Sequence, residues 1–255
     1  MNIWNFFDQM PGLPRAALIG LLALWAGLLY GGFFFGTYRP DTLHRMPRWA
    51  RLSASFVLVM VAWLLMLTWQ SPYRMHYARW LALGMTFGFI GDLFMAKLLI
   101  RSALYLPFGM GAFAVGHLCY LAGMMQALRA VDMPIWTGRF VGITATWLMI
   151  GLIGWYITVY RGQSAGGMLY AALGYGLLLC ATAAFAMNLS LQKTAFIGLF
   201  VGTLLFLMSD LVLSMRLFSG ARWSHLGDVV WLLYSTGQML IVTSSLFFPE
   251  SLNGS

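Results

Sequence analysis

AFIGLFVGTLLFLMSDLVLSM, residues 195–215, is a run of twenty-one residues in which Asp210 alone is charged. A bilayer core of roughly 30 Å is crossed by about 20 apolar residues in a helix. A helix in a soluble protein would instead show a polar face at a period near 3.6 residues. This stretch therefore reads as a membrane span, and seven others resemble it. The eight segments are approximately 16–37, 52–70, 80–96, 104–128, 140–160, 168–189, 195–215 and 229–248. Connections between them are short, the longest being TYRPDTLHRMPRWAR at 37–51. No soluble domain fits between spans, so residues 1–255 form one membrane domain.

Composition agrees. The chain is 61% hydrophobic and 9% charged, against roughly 45–50% and about 25% in soluble proteins. Backbone groups in lipid must be satisfied within each segment, so the expected fold is all-α, a single bundle of eight transmembrane helices. The net charge of +8 comes from 15 basic and 7 acidic residues. The basic residues stand between apolar segments as topology signals and do not form a nucleic-acid surface. Nine fall in the odd-numbered connections (Arg39, Arg45, Arg48, Arg51, Lys97, Arg101, Arg161, Arg216 and Arg222). Six fall on the other side, namely Arg15, Arg74, Arg79, Arg129, Arg139 and Lys193. The positive-inside rule then places both termini outside. Cys119 and Cys180 lie within apolar segments and read as packing residues. No basic residue precedes Arg15, and the apolar run after it is longer than a signal-peptide core, so no cleaved signal is expected.

The third span contains GMTFGFIGDLFMAK (84–97) and the seventh GTLLFLMSDLVLSMR (202–216). In each, a glycine stands eight residues before an aspartate: Gly84 and Asp92, Gly202 and Asp210. The spans that follow carry Gly116-His117 and Gly237-Gln238. This spacing suggests two parallel four-helix repeats, with both acids at similar depth. A charge near the middle of a membrane helix costs roughly 2.5–3.5 kcal/mol on insertion scales, which makes such residues candidates for function. Asp92 and Asp210 are the leading pair, and a purely structural hydrogen bond or ion pair is the competing reading.

Other polar residues can serve the same cavity. His117 and Tyr120 share a face of the fourth span, as do Tyr234 and Gln238 on the eighth. Ser209 adjoins Asp210 but is a poor nucleophile candidate, because helix hydroxyls usually bond the preceding turn. Lys97, Arg101, Arg216 and Arg222 could receive a phosphate, although they also fit ordinary positive flanks. A catalytic zinc site usually needs three protein ligands. His44, His76 and His225 lie in connections, so a metal site is disfavoured. P-loop, dinucleotide, HExxH and GxSxG motifs are missing from the sequence.

FIGDLFMAK (89–97), PFGMGAFAVGHLCYLAGM (107–124), GTLLFLMSDLVLSM (202–215) and LLYSTGQMLI (232–241) together carry a family resemblance. The ordered set of a GD span, an A-F-x-x-x-H-x-x-Y span, an F-x-x-S-D span and Y-x-x-x-Q resembles the lysoplasmalogenase-like YhhN membrane family. The resemblance covers about 80–128 and 195–245, and by position it singles out Asp92, His117, Tyr120, Ser209, Asp210, Tyr234 and Gln238. The chain departs from the pattern at Arg51-Leu52, where many relatives have Lys-Pro, and at LLYSTGQ, where a Tyr-Tyr pair is common.

The resemblance implies hydrolysis of the vinyl-ether bond of a lysoplasmalogen to a fatty aldehyde and a glycerophospho-ethanolamine or -choline. One aspartic acid would donate a proton while the other stays anionic. It implies no cofactor. The expected partners are a lysophospholipid substrate and membrane lipids, with no obligate protein partner. The expected location is multi-pass in a cytoplasmic membrane, taken as bacterial. A proton-coupled transporter or lipid-handling protein, using the same acids to carry protons or bind a cation, is the alternative.

Overall fold

The computed structural model describes residues 10–130, 132, 134, 137–161 and 166–249. Its long helices are α1 (Gly12–Phe34), α2 (Arg48–Thr68), α3 (Pro72–Met95), α4 (Tyr105–Ala130), α5 (Gly138–Tyr160), α6 (Gly167–Gln192), α7 (Ile197–Phe218) and α8 (Leu226–Thr243). No strand occurs among the described residues, and one isolated bridge joins Arg39 to His44. Seven of the helices are long and apolar enough to cross a membrane; α3 falls outside that set.

The expected start of the third span, near residue 80, is eight residues late. Pro72 occupies the first turn of α3, where its missing N–H leaves no helix hydrogen bond unmade. Arg74, His76 and Arg79 make the following turns look like a connection. Yet Arg74 is 0% exposed. Its guanidinium donates to the carbonyls of Ser245 (2.8 Å) and Leu246 (2.6 Å) and lies 3.2 Å from the centre of the Trp69 ring. What reads in sequence as a flanking charge is a buried tie between α3 and the turn after α8.

Helices α2, α3, α4, α6, α7 and α8 each pack on the next, and α8 returns to α2, closing a ring. Outside it, α1 lies on α2, and α5 lies on α6 and α7. Leu18, Trp25, Leu58, Leu65 and Met85 fill one apolar core between α1, α2 and α3. Tyr77, Tyr120, Leu128, Phe196 and Phe248 fill a second.

Two glycine contacts fix the closest helix pairs. A Cβ on Gly84 would lie 2.9 Å from the Gly116 carbonyl oxygen, and one on Gly116 would lie 2.9 Å from that of Gly84. The same reciprocal contact occurs at 2.7 Å between Gly202 of α7 and Gly237 of α8. Both crossings sit two turns before an aspartate on the same helix.

The connection between α1 and α2 is clasped onto α8. Asp228, fully buried, accepts the backbone N–H groups of Arg45 (2.7 Å) and Met46 (3.0 Å), and the Leu43 carbonyl accepts the N–H of Gly227. His44 stands over Gly227, with Nδ1 3.7 Å from Asp228 and Nε2 2.8 Å from the Arg51 guanidinium. Because Arg51 can only donate, His44 Nε2 is the acceptor and the ring is neutral, with its proton on Nδ1. Burial lowers the His44 pKa below its ordinary 6.5, and the neighbouring Arg51 charge pushes the same way.

Three outcomes follow for thermal unfolding in detergent. Gly202→Ala places a methyl against backbone that cannot yield, which should cost about 1–3 kcal/mol, whereas Gly20→Ala, with nothing within 4 Å of its Cβ, should be near neutral. Asp228→Ala leaves two amides without their acceptor, at about 1–3 kcal/mol each. Since the folded-state pKa of His44 is lowered, the unfolded chain binds more protons. The stability due to neutral His44 is complete above pH 6.5 and lost as pH falls toward the folded value. His44→Gln should flatten that part of the pH profile, and an unchanged profile would remove His44 as its source.

Candidate functional site

The two acids occupy different surroundings. Asp92, 3% exposed on α3, accepts hydrogen bonds at Oδ2 from Ser55 of α2 and from the Tyr234 hydroxyl of α8 (2.9 Å). Three helices therefore meet at one carboxylate. Gly88, one turn before it, leaves the space for this: a Cβ there would lie 2.9 Å from Gln238 Nε2 and 3.5 Å from the Tyr234 hydroxyl. Arg51 supplies a positive charge within electrostatic reach of Asp92 and of Asp228. Asp210, half-buried on α7, accepts at Oδ2 from the Tyr175 hydroxyl of α6 (2.5 Å). Ser209 donates to the Phe206 carbonyl (2.8 Å), as its helix position predicts, and reaches Asp210 Oδ1 at 3.4 Å.

An aromatic group separates and connects the two carboxylates. The Tyr234 ring packs edge-on against Phe206 (5.3 Å between centres), Trp231 (5.3 Å) and Phe113 (5.9 Å). Tyr175 packs against the same cluster. The hydroxyl held by Asp92 and the hydroxyl held by Asp210 thus belong to one packed unit.

The remaining expected residues fall into three places. Tyr120 donates to Gln238 Oε1 (2.6 Å), so α4 and α8 are tied beside the Asp92 site rather than at a carboxylate. His117 is buried against Phe206, with ring centres 4.4 Å apart, and pairs through Nδ1 with Thr182 of α6 (3.1 Å). Thr182 already donates to the Leu178 carbonyl, so it accepts from His117 Nδ1–H. This leaves Nε2 as a buried acceptor without a partner among the described residues. Lys97, Arg101 and Arg222 are exposed at the end of the bundle nearer the acids, and Arg216 is half-buried there. Lys97 takes the left-handed position (φ 58°) that ends α3, and its ammonium lies 4.4 Å from the centre of the Tyr105 ring. Among the described residues no three His, Cys, Asp or Glu side chains gather as metal ligands.

A cavity of about 390 Å³ lies between α4, α5, α6 and α7. Asp210 is the one charged side chain among the described residues lining it, with Tyr175 beside it and apolar side chains over most of the wall. Asp92, His117, Tyr234 and Gln238 are not among the lining residues. Of the two acids, Asp210 lines this cavity and Asp92 does not, its Oδ2 being held by Ser55 and Tyr234. Ser55 and Tyr175 were not singled out in sequence. Each stands on the helix before its acid, 37 and 35 residues earlier, and that near-equal spacing is the signal that could have found them.

No curated protein and no solved structure matches the chain. The YhhN family model matches residues 52–245, from within α2 to the end of α8, and takes in Ser55, Asp92, Tyr175, Asp210 and Tyr234 but not Arg51. The chain belongs to the YhhN family.

Proposed function

We propose that the protein is a membrane hydrolase that cleaves the vinyl-ether bond of a lysoplasmalogen, with Asp210 as proton donor and Asp92 as the standing anion. The observation that carries this reading is Asp210 as a lone carboxyl on the wall of an apolar cavity, with the second acid, Asp92, joined to it through the packed cluster of Tyr234 and Tyr175. A vinyl ether needs such a pair. Transfer of a proton from Asp210 to the outer alkene carbon turns the carbon attached to oxygen into an oxocarbenium ion. Water adds to that carbon and returns a proton to the Asp210 carboxylate. The hemiacetal then breaks its bond to the glycerol oxygen, which takes the hydroxyl proton, giving aldehyde and alcohol. One water is consumed and both acids end as they began.

The surroundings support this division. Asp92 accepts two hydroxyl hydrogen bonds and lies within reach of the Arg51 charge, and both features offset the cost of keeping a carboxylate charged where it is buried. Its field opposes the positive charge that develops beside Asp210, the electrostatic service that fixed groups perform best in a dry site. Tyr175 holds one Asp210 oxygen and so aims the other at the cavity. Lys97, Arg101, Arg216 and Arg222 stand at the same end of the bundle, where a phosphate head group would lie. The apolar wall and the seven helices long and apolar enough to cross a membrane suit a substrate that lives in the membrane.

Product analysis tests the reading. Purified protein in detergent should release fatty aldehyde from a lysoplasmalogen and leave the alkyl-ether analogue intact, since only the vinyl ether can be protonated to an oxocarbenium ion. Asp210→Asn and Asp92→Asn should each lower the rate by at least about a hundredfold, the usual scale of acid–base catalysis. The double variant should be little worse than either single one, because groups acting together are non-additive. Tyr175→Phe should cost about ten- to a hundredfold through loss of one hydrogen bond to a charged group. Equal turnover of the acyl analogue would point to an esterase, and full activity in a folded Asn variant would remove that acid from the mechanism.

A further inference from the structure

We infer that the cavity beside Asp210 is a bore for a single unbranched hydrocarbon chain, entered sideways from the bilayer and kept open by Gly154 and Gly176. The inference deepens the reading above and rests on it for the identity of the amphiphile. It does not rest on it for the presence of a chain.

The dimensions come first. Lining residues on α7 run from Leu204 to Phe218, a rise of about 21 Å at 1.5 Å per residue. A volume of about 390 Å³ spread over that length makes the cavity long and narrow, the shape of an extended chain. The volume matches on the order of a dozen groups the size of a water molecule, each about 30 Å³.

The wall also shows where the chain enters. Ile150 of α5 and Met208, Leu211 and Leu217 of α7 line the cavity and are at the same time exposed, at 48%, 47%, 42% and 37%. The opening therefore faces the side of the bundle, where lipid chains lie. Cavity-lining stretches of α4 and α6 are near the starts of those helices, and those of α5 and α7 run to their ends. All four belong to the end that carries Lys97, Arg101, Arg216 and Arg222. A lysolipid lying in that leaflet can slide its tail in while its head stays at the basic surface.

Two glycines keep the passage clear near the acid. A Cβ on Gly176 would meet nothing within 4 Å, and one on Gly154 would meet only Leu211 Cδ1 at 3.7 Å. By contrast Gly151 is already closed off by Cys180 Sγ, 2.8 Å from its Cβ position. Side chains at 154 and 176 would grow into the space beside Asp210.

The test uses alkyl-ether lysophosphatidylcholines with chains of 8 to 18 carbons, whose retention by the detergent-purified protein is counted by native mass spectrometry. These probes carry no vinyl ether, so binding is read whether or not the protein hydrolyses anything. Affinity should rise about fourfold per methylene and level off near a dozen or so carbons. Gly176→Leu and Gly154→Leu should each weaken long chains by more than about tenfold, with the loss growing with length. Gly174→Leu, on the same helix but facing outward with nothing within 4 Å of its Cβ, should leave the series unchanged. Retention that ignores chain length in the wild type, or a series unaltered by both cavity variants, would overturn the inference. If either variant fails to fold in detergent melting, the other and the wild-type series still decide. Normal chain-length dependence without aldehyde release would instead reject the hydrolase reading and keep the bore.

Discussion

Gly84 against Gly116 and Gly202 against Gly237 are the contacts on which the rest of the molecule depends. Helices already in lipid gain little from hiding apolar surface, so their association relies on close packing and interhelical hydrogen bonds. At both crossings the backbones touch because no side chain keeps them apart. Each aspartate follows its glycine by two turns, so the crossings decide where the acids sit in the ring. If α7 and α8 were spread by one methyl at Gly202, Tyr234 and Phe206 would part, and with them the aromatic unit that spans the two carboxylates. The packing motif and the chemical site are therefore one feature read at two positions along the same helices.

The similar glycine frames do not make the acids alike. Position 113 on α4 and position 234 on α8 stand three residues before Gly116 and Gly237, respectively, yet one is Phe and the other Tyr. Only Tyr234 has a hydroxyl to give, and it gives it to Asp92. Asp210 instead relies on Tyr175 from α6 and keeps an open side toward the cavity. Tyr234 thus gives Asp92 a donor from α8, while Asp210 keeps a side open to the cavity.

The sequence made the long helices and the two acids legible, because apolar length and an isolated intramembrane charge are properties of a segment read alone. It also pointed to Tyr120, Tyr234 and Gln238, which prove to join α4, α8 and Asp92. What it could not supply were partners chosen by three-dimensional contact. Ser55 and Tyr175 look like ordinary polar positions within apolar helices until α2 and α6 are laid beside α3 and α7. Arg74 was counted as a flank because its charge, in sequence, resembles those of its exposed neighbours; only the carbonyls of Ser245 and Leu246 and the Trp69 ring reveal its burial. Depth along one helix is readable from pattern, but rotation about the axis depends on neighbours far away in the chain.

Arg51 connects the surface clasp to the buried site. Its guanidinium donates to His44, lies 5.3 Å from the centre of the Trp231 ring, and projects its charge on both Asp228 and Asp92. Asp228 fixes the backbone at Arg45 and Met46, and thereby the start of α2 from which Arg51 extends. Trp231 in turn packs on Tyr234, which holds Asp92. The loop between α1 and α2 consequently sets the position of a cation near Asp92 by two routes, through charge and through aromatic packing. A lysine at position 51 would keep a positive charge there, but an ammonium cannot reproduce a flat guanidinium lying between a histidine and an indole. The surrounding His44 and Trp231 suit the arginine, and through it the clasp at the surface and the enclosed carboxylate share one positive charge.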